Sequence, residues 1–490
     1  MRSRTRISLP VSLVVVAVFV IATLRMPAAI PGILAEPQAD PRFEELASLV
    51  PEKMEQYGVT GVAFGVVKDG EATLRGFGVT NVEDPQPITP DTIFPIASIS
   101  KTVATTAMMR LVEQGRVDLE APVVRYLPEF RVQDGEASRE VSVLDLLMHT
   151  PGWEGQLGME DRGSESLAYF VETMDRVPQL APPGMVWSYN NAGFLVAGRV
   201  IEAVTEQSIH DALDELVFEP LGLTRAFTRV GDAVTYRFAL GHRLRNDRTS
   251  VIRPFSLPAL TAGGVAMSLQ NILEYAMFHL GDGRGYDGQQ VLTRASLERM
   301  RTSQIKKIGT DDEMGIGWHL RTVGGVLTAA HGGTLGGHRL LLELVPERNL
   351  AFSILTNHSG GTQLIQDVER AVLKKYEGLS MNPGHTVTNR GVGETVPNPR
   401  LLAEQPDAAP YIGVYRRPPL NTVWRVREQD GRLVVERGDG GGMSYIGFYG
   451  PDRAVVTLDG RGFGQQVDFI RAPDGTVAWI RRGGRIASKD

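Results

Sequence analysis

Apolar residues along this chain recur with two periods, and the changes between them mark its elements. From Phe43 onward, short apolar runs alternate with stretches of helical spacing. Val62–Val67 and Ala72–Gly78 flank Asp69-Gly70, a pair that favours a two-residue turn, and predict a β-hairpin. Thr102–Gln114 carries helical periodicity and ends at Gly115. Ser142 with Asp145 reads as a capping-box start for a helix carrying Leu144, Leu147 and Met148. Helices are also predicted over Asn191–Val204, Ile209–Val217 and Leu269–Leu280, the last opened by Ser268. Strands follow at Gly325–Ala330, Arg339–Val345 and Leu350–Thr356, and a helix at Gln363–Tyr376 closes the block. Met381–Asp407 loses all periodicity and reads as a linker. From Tyr411 the pattern becomes short strands separated by Asp-Gly pairs, which predicts a small antiparallel barrel or sandwich.

The pattern therefore divides the chain into four parts. Residues 1–37 are a leader, 43–380 an α/β (α+β) domain built on an antiparallel sheet flanked by helices, 381–407 a linker and 408–490 a β domain. The leader has Arg2, Arg4 and Arg6 before an apolar run from Val11 to Leu24. That run is shorter than the ~20 residues needed to span a bilayer, so it reads as a signal peptide, with an uncleaved membrane anchor as the alternative. Either way the remainder is expected outside the cytoplasm. Composition changes little: 42% hydrophobic and 22% charged residues suit an ordinary globular core. A net charge of −6 without a basic cluster argues against a nucleic-acid partner. The absence of cysteine excludes disulfides and thiolate chemistry.

The chemistry concentrates at three places. Ser98-Ile-Ser-Lys101 is an SxxK motif at the start of a helix, where a lysine three residues on lies on the face of the serine. A serine hydroxyl needs a nearby base, and a desolvated lysine can serve. The motif alone is weak, because Ser303-Gln-Ile-Lys306 repeats it in a polar stretch that reads as surface. Tyr189-Asn190-Asn191 supplies a tyrosine that could relay a proton and an Asn191 amide that could orient Lys101 and a substrate carbonyl. Structurally, the same residues could be a packed tyrosine with Asn191 capping a helix. His331-Gly332-Gly333 stands at the end of a predicted strand, followed by Thr334, where glycine lets the backbone approach a substrate. His279-Leu-Gly281 and His358-Ser-Gly360 repeat that triplet in poorer settings. No metal-ligand cluster or phosphate loop stands out, so no cofactor is expected.

In this order, SxxK, YxN and strand-HxG, the chain resembles the serine β-lactamase-like family of class C β-lactamases, penicillin-binding carboxypeptidases, D-aminopeptidases and esterases. Leu146–Gly152, Thr261–Ser268, Met314–Trp318 and Leu355–Asn357 match further landmarks of that family. The tail resembles the lipocalin-like β domain of some members. The resemblance implies a serine hydrolase in which Ser98 forms an acyl-enzyme and Lys101 and Tyr189 share base and acid duty. Asn191, His331, Gly333 and Thr334 would bind substrate, and the backbone N–H groups of Ser98 and Thr334 would hold the oxyanion. It implies a small-molecule or peptide substrate, a cell-wall peptide among them. The C-terminal domain is then a candidate surface for ligand or oligomer. Histidine stands where penicillin-directed enzymes mostly carry lysine, which favours D-amino-acid peptides, esters or amides over β-lactams. The contrasting expectation is a non-catalytic cell-envelope peptide-binding or sensing protein that keeps the fold.

Overall fold

The computed structural model describes residues 40–246, 248–253, 260–307, 312–381, 395–396, 400–438, 442–457 and 464–490. The predicted leader, and with it the question of export, lies outside them. Among the described residues no helix is long and apolar enough to cross a membrane.

The larger part is built on one antiparallel sheet. Its main strands are β1 (Gly61–Lys68), β2 (Glu71–Gly78), β3 (His319–Val323), β4 (Val326–Leu335), β5 (His338–Val345) and β6 (Leu350–Thr356), in the order β2-β1-β6-β5-β4-β3. Two short strands, Glu313–Met314 and Ile305–Lys306, extend it beyond β3. The β1–β2 turn is the predicted one, with Asp69 at φ 52° and Gly70 at φ 87°.

Both faces of the sheet are covered, so its central strands are apolar on both sides. Val62, Phe64 and Val66 of β1 pack with Phe43, Leu46 and Val50 of helix α1 (Pro41–Tyr57). The other face, including Ala63 and Val67, packs toward helices α2 (Ser100–Glu113), α3 (Val143–Met148), α4 (Asn191–Thr205) and α5 (Leu269–Leu280). Helix α6 (Gly361–Glu377) adds Leu364, Ile365 and Val368 to the α1 side.

Capping follows the sequence in most places. Ser142 and Asp145 form the reciprocal capping box of α3, and Ser268 caps α5. Three expectations shift. The cap of α4 is Asn190, whose side chain accepts from Gly193 N–H, rather than Asn191. The segment after Ser208 is α-helical only to Leu213 and then runs as a π-turn over Asp214–Phe218. Strand β4 continues past Ala330 to Leu335, so His331–Thr334 lie within it.

The C-terminal part is a closed eight-stranded antiparallel barrel: β7 (Gly413–Arg417), β8 (Thr422–Gln429), β9 (Arg432–Arg437), β10 (Met443–Gly450), β11 (Arg453–Thr457), β12 (Gly464–Arg471), β13 (Val477–Arg482) and β14 (Arg485–Lys489). Closure removes exposed edges that would otherwise invite strand addition. Tyr415, Trp424, Phe448 and Phe469 contribute to its core. Of the stretch expected to be a linker, Thr395–Val396 pairs with β12 and Leu402 N–H donates to Phe448 O.

The barrel packs on the larger part through β12, β13 and β14. Ile470, Trp479 and Ile486 join Leu180, Ala181 and Val186 in one apolar cluster, and Trp479 Nε1 donates to Leu180 O at 2.7 Å.

Candidate active site

Ser98 sits in a single 3₁₀ turn, Ala97–Ile99, that leads directly into α2. The residue before it, Ala97, has φ 47°, a left-handed conformation that a non-glycine side chain adopts at some cost. The landmark Thr261–Ser268 holds this turn in place. Ile96 N–H donates to Val265 O at 2.9 Å, and Ser100 Oγ accepts from Val265 N–H at 3.0 Å.

Lys101 lies in the first turn of α2 with 0% of its surface exposed. Its Nζ donates to Ala262 O at 2.6 Å. Its described hydrogen-bond partner is thus a carbonyl on the Thr261–Ser268 segment, not the Asn191 amide. No carboxylate is among the causes that set its charge. Burial, and secondarily the Arg485 guanidinium, hold the amine well below the usual lysine range.

Tyr189 is held just before α4 and hydrogen-bonds Ser98. Lys101 Nζ lies 5.0 Å from the centre of its ring. Burial pushes the phenol up to about 12, outweighing the Ser98 hydrogen bond and Arg485, which act the other way. The tyrosine is therefore a neutral hydroxyl at neutral pH, able to pass a proton along rather than to act as a standing tyrosinate. Asn191 opens α4 beside it, with its Oδ1 buried and without a hydrogen-bond partner among the described residues.

Strand alternation brings His331 to the same place. Val326 and Ala330 face the α1 side of the sheet, whereas Ala329 faces the opposite core. Residues of odd number in β4, including His331 and Gly333, therefore turn toward the nucleophile. A Cβ added to Gly333 would meet Ile96 O at 2.7 Å and Ala97 Cβ at 3.2 Å, so this position must be glycine for the strand to lie against the Ser98 turn. Strand β3 pairs with β4 only as far as His319–Ala330, whereas β5 pairs with it through Leu335. Among the described residues, one side of Gly332–Thr334 is thus unpaired, and Thr334 is exposed. In the second SxxK, Ser303 and Lys306 are both exposed to solvent, although Ile305 between them packs against the Trp187 and Tyr189 cluster.

The structure adds residues that the motifs did not mark. His149 ends α3 in a left-handed conformation, φ 64°, and its ring centre lies 4.5 Å from that of Tyr189. His319 at the start of β3 lies 5.0 Å from His331, ring to ring. The largest addition is Arg485. It begins β14 of the C-terminal barrel, and its guanidinium stands 5.3 Å from the centre of the Tyr189 ring. Gly484 O, next to it, accepts the Tyr189 backbone N–H at 2.8 Å. Glu154, 1% exposed, pairs with Arg417 at 2.5 Å and lies 3.9 Å from Arg485. A lone arginine far along a chain carries no local signal, and only the fold brings it to Tyr189.

Burial pushes His331 down to about 3, helped by Lys101, so the imidazole is neutral at neutral pH. A nucleophilic serine, a lysine whose charged form burial disfavours and a neutral tyrosine are the parts an acyl transfer to serine requires. The matching family model, described as Beta-lactamase, spans residues 46–376.

The chain belongs to the beta-lactamase family.

Penicillin-binding protein 4 of Amycolatopsis lactamdurans is 32% identical over 371 residues, covering 74% of this chain and 94% of its own. The crystal structure of SurE with D-Leu superposes with a TM-score of 0.75 at 26% identity, over 92% of this chain and 99% of that one. The octameric penicillin-binding protein homologue from Pyrococcus abyssi shares the fold at a TM-score of 0.62 and 21% identity, over 91% and 100%. Both of these structures match through the barrel as well as the hydrolase domain. The chain is accordingly a serine hydrolase of this beta-lactamase family.

Proposed function

We propose that the protein is an exported acyl-serine hydrolase whose substrates are D-amino-acid peptides carrying a free carboxylate on the residue that leaves. The observation that carries the substrate class is the charge around Arg485. Two guanidiniums, Arg417 and Arg485, share one buried carboxylate, Glu154, and the nearer of the two to Glu154 is Arg417. Arg485 Nε reaches Glu154 only at 3.9 Å and has no hydrogen-bond partner among the described residues, although its side chain is only 12% exposed. A buried arginine stays charged at neutral pH, and an underpaired one is costly until an anion reaches it. A planar carboxylate fits its fork. His331, neutral as it is, cannot supply that cation, so the barrel does. That SurE was determined with D-Leu supports a D-residue as ligand.

The mechanism follows from the groups in place. Lys101, its proton affinity lowered by burial, takes the Ser98 proton directly or through the Tyr189 hydroxyl as Ser98 Oγ attacks the carbonyl. The resulting oxyanion would lie between the N–H of Ser98 and that of Thr334, on the open side of β4. Each such donor contributes about 10²–10³ in rate. The proton passes to the departing amine, and water releases the acyl group from Ser98. The apolar run after Arg2, Arg4 and Arg6 supports export, and recovery of the mature protein in the cytosolic fraction would refute that part.

The substrate is tested with a D-Ala-terminated peptide and its C-terminal amide. The acid should be preferred by about 10–10³-fold in kcat/KM. Arg485→Gln should remove that preference. Equal turnover of acid and amide, or a preference that survives Arg485→Gln, would refute the assignment.

A further inference from the structure

Three imidazoles meet beside Tyr189, and no step above uses them together. His149, His319 and His331 are all buried, and the ring nitrogens they present lie within 4.8 Å of one another. Among the described residues, His149 Nε2 and His331 Nε2 have no hydrogen-bond partner.

Their other nitrogens decide what each presents. His149 Nδ1 meets Asn190 N–H at 2.9 Å and Asn190 O at 3.2 Å; the shorter contact comes from a group that can only donate, which favours a lone pair on Nδ1 and the proton on Nε2. A carbonyl can only accept, so Gly332 O, 2.7 Å from His331 Nδ1, puts that ring's proton on Nδ1 and leaves a lone pair on Nε2. Lys307 Nζ occupies His319 Nδ1 at 2.6 Å. Three histidines are also the donor number of a tripodal metal site, but here the fit fails, because His149 turns a proton inward instead of a lone pair. One buried donor and one buried acceptor, with a third ring closing the space, suit a molecule that both accepts and donates. Water does this, and buried water sites of this kind have two to four polar partners.

We propose that His149, His319 and His331 seat the water molecule that resolves the acyl-enzyme. His149 Nε2–H holds one of its lone pairs, and His331 Nε2 takes one of its hydrogens. This rests on the acyl-serine reading above. In the step itself the water's second lone pair attacks the acyl carbon, and its second hydrogen passes through the Tyr189 hydroxyl to the Lys101 amine. As the bond from the acyl carbon to Ser98 Oγ breaks, that proton returns by the same route to Oγ. The product is a carboxylic acid and the enzyme is restored.

The experiment separates acylation from deacylation. His149→Asn keeps a residue that tolerates the left-handed backbone but does not reach the water. His319→Gln keeps an acceptor for Lys307 and alters the third wall. Each variant is mixed with a p-nitrophenyl acyl ester, nitrophenol release is followed by stopped flow, and quenched samples are weighed as intact protein. Acylation should remain within about threefold of wild type. Deacylation should slow by on the order of 10²-fold in His149→Asn, with the acyl-enzyme mass accumulating. Hydroxylamine, arriving from bulk solvent, should clear that adduct as fast as it does in wild type. Deacylation at the wild-type rate in both variants, equal loss of both steps, or stoichiometric Co²⁺ binding that needs His149 would overturn the proposal. If wild type forms no acyl-Ser98, the acyl-serine reading itself fails.

Discussion

At the scale of single residues, the site depends on a lysine whose charged form burial disfavours. Lys101 is buried with a carbonyl and aromatic rings around it, 5.0 Å from Tyr189 and 5.5 Å from Phe194. Its folded-state pKa is lowered, so the unfolded chain holds this proton more tightly than the folded chain does. By linkage this lysine costs stability at neutral pH, and the cost shrinks as pH rises toward the ordinary lysine value. Lys101→Met should therefore abolish turnover while raising stability by about 1–2 kcal/mol, read by denaturant unfolding. The same shift sets the pH profile. kcat/KM should fall on the acid side as Lys101 takes up a proton, and that limb should not move with His331, which is neutral down to about 3.

At the scale of elements, the site is a meeting of a strained turn with a strand. Gly333 permits that approach, and Gly333→Ala should push β4 away from Ile96 and Ala97. The expected loss is about 10²-fold in kcat/KM with a folded protein, checked by kinetics beside a melting curve. This part was legible in the sequence. SxxK, YxN and HxG each sit at an element boundary that periodicity marks, and Ser98, Lys101, Tyr189, Asn191 and His331 are brought to one sheet face. The missed details have physical causes. Asn190 and Asn191 are both good caps, and only backbone geometry decides between them. The Lys101 partner is a backbone carbonyl, Ala262 O, which no side-chain pattern can announce. The end of β3 against Ala330 opens one side of His331–Thr334, a register property invisible in a single strand.

At the scale of the whole molecule, the barrel is part of the active-site wall. Tyr189 N–H is bonded to Gly484 O, Ser188 Oγ accepts from Ile486 N–H, and Arg485 stands over the Tyr189 ring. Sequence pattern predicts a separate β domain behind a linker because the contacts between Leu180–Tyr189 and Trp479–Ile486 span almost three hundred residues, as with the Trp479–Leu180 hydrogen bond. Cutting the chain at the start of the barrel should expose the Leu180, Ala181 and Val186 surface and reduce activity by at least 10-fold or so, with the shortened protein aggregating on gel filtration. The central claim, however, is that one particular serine becomes acylated. The direct measurement is intact-mass and peptide mapping after treatment with a fluorophosphonate. The account predicts one adduct, on the peptide containing Ser98, absent in Ser98→Ala and unchanged in Ser303→Ala. An adduct that persists in Ser98→Ala, or a folded wild-type protein that takes none, would contradict it.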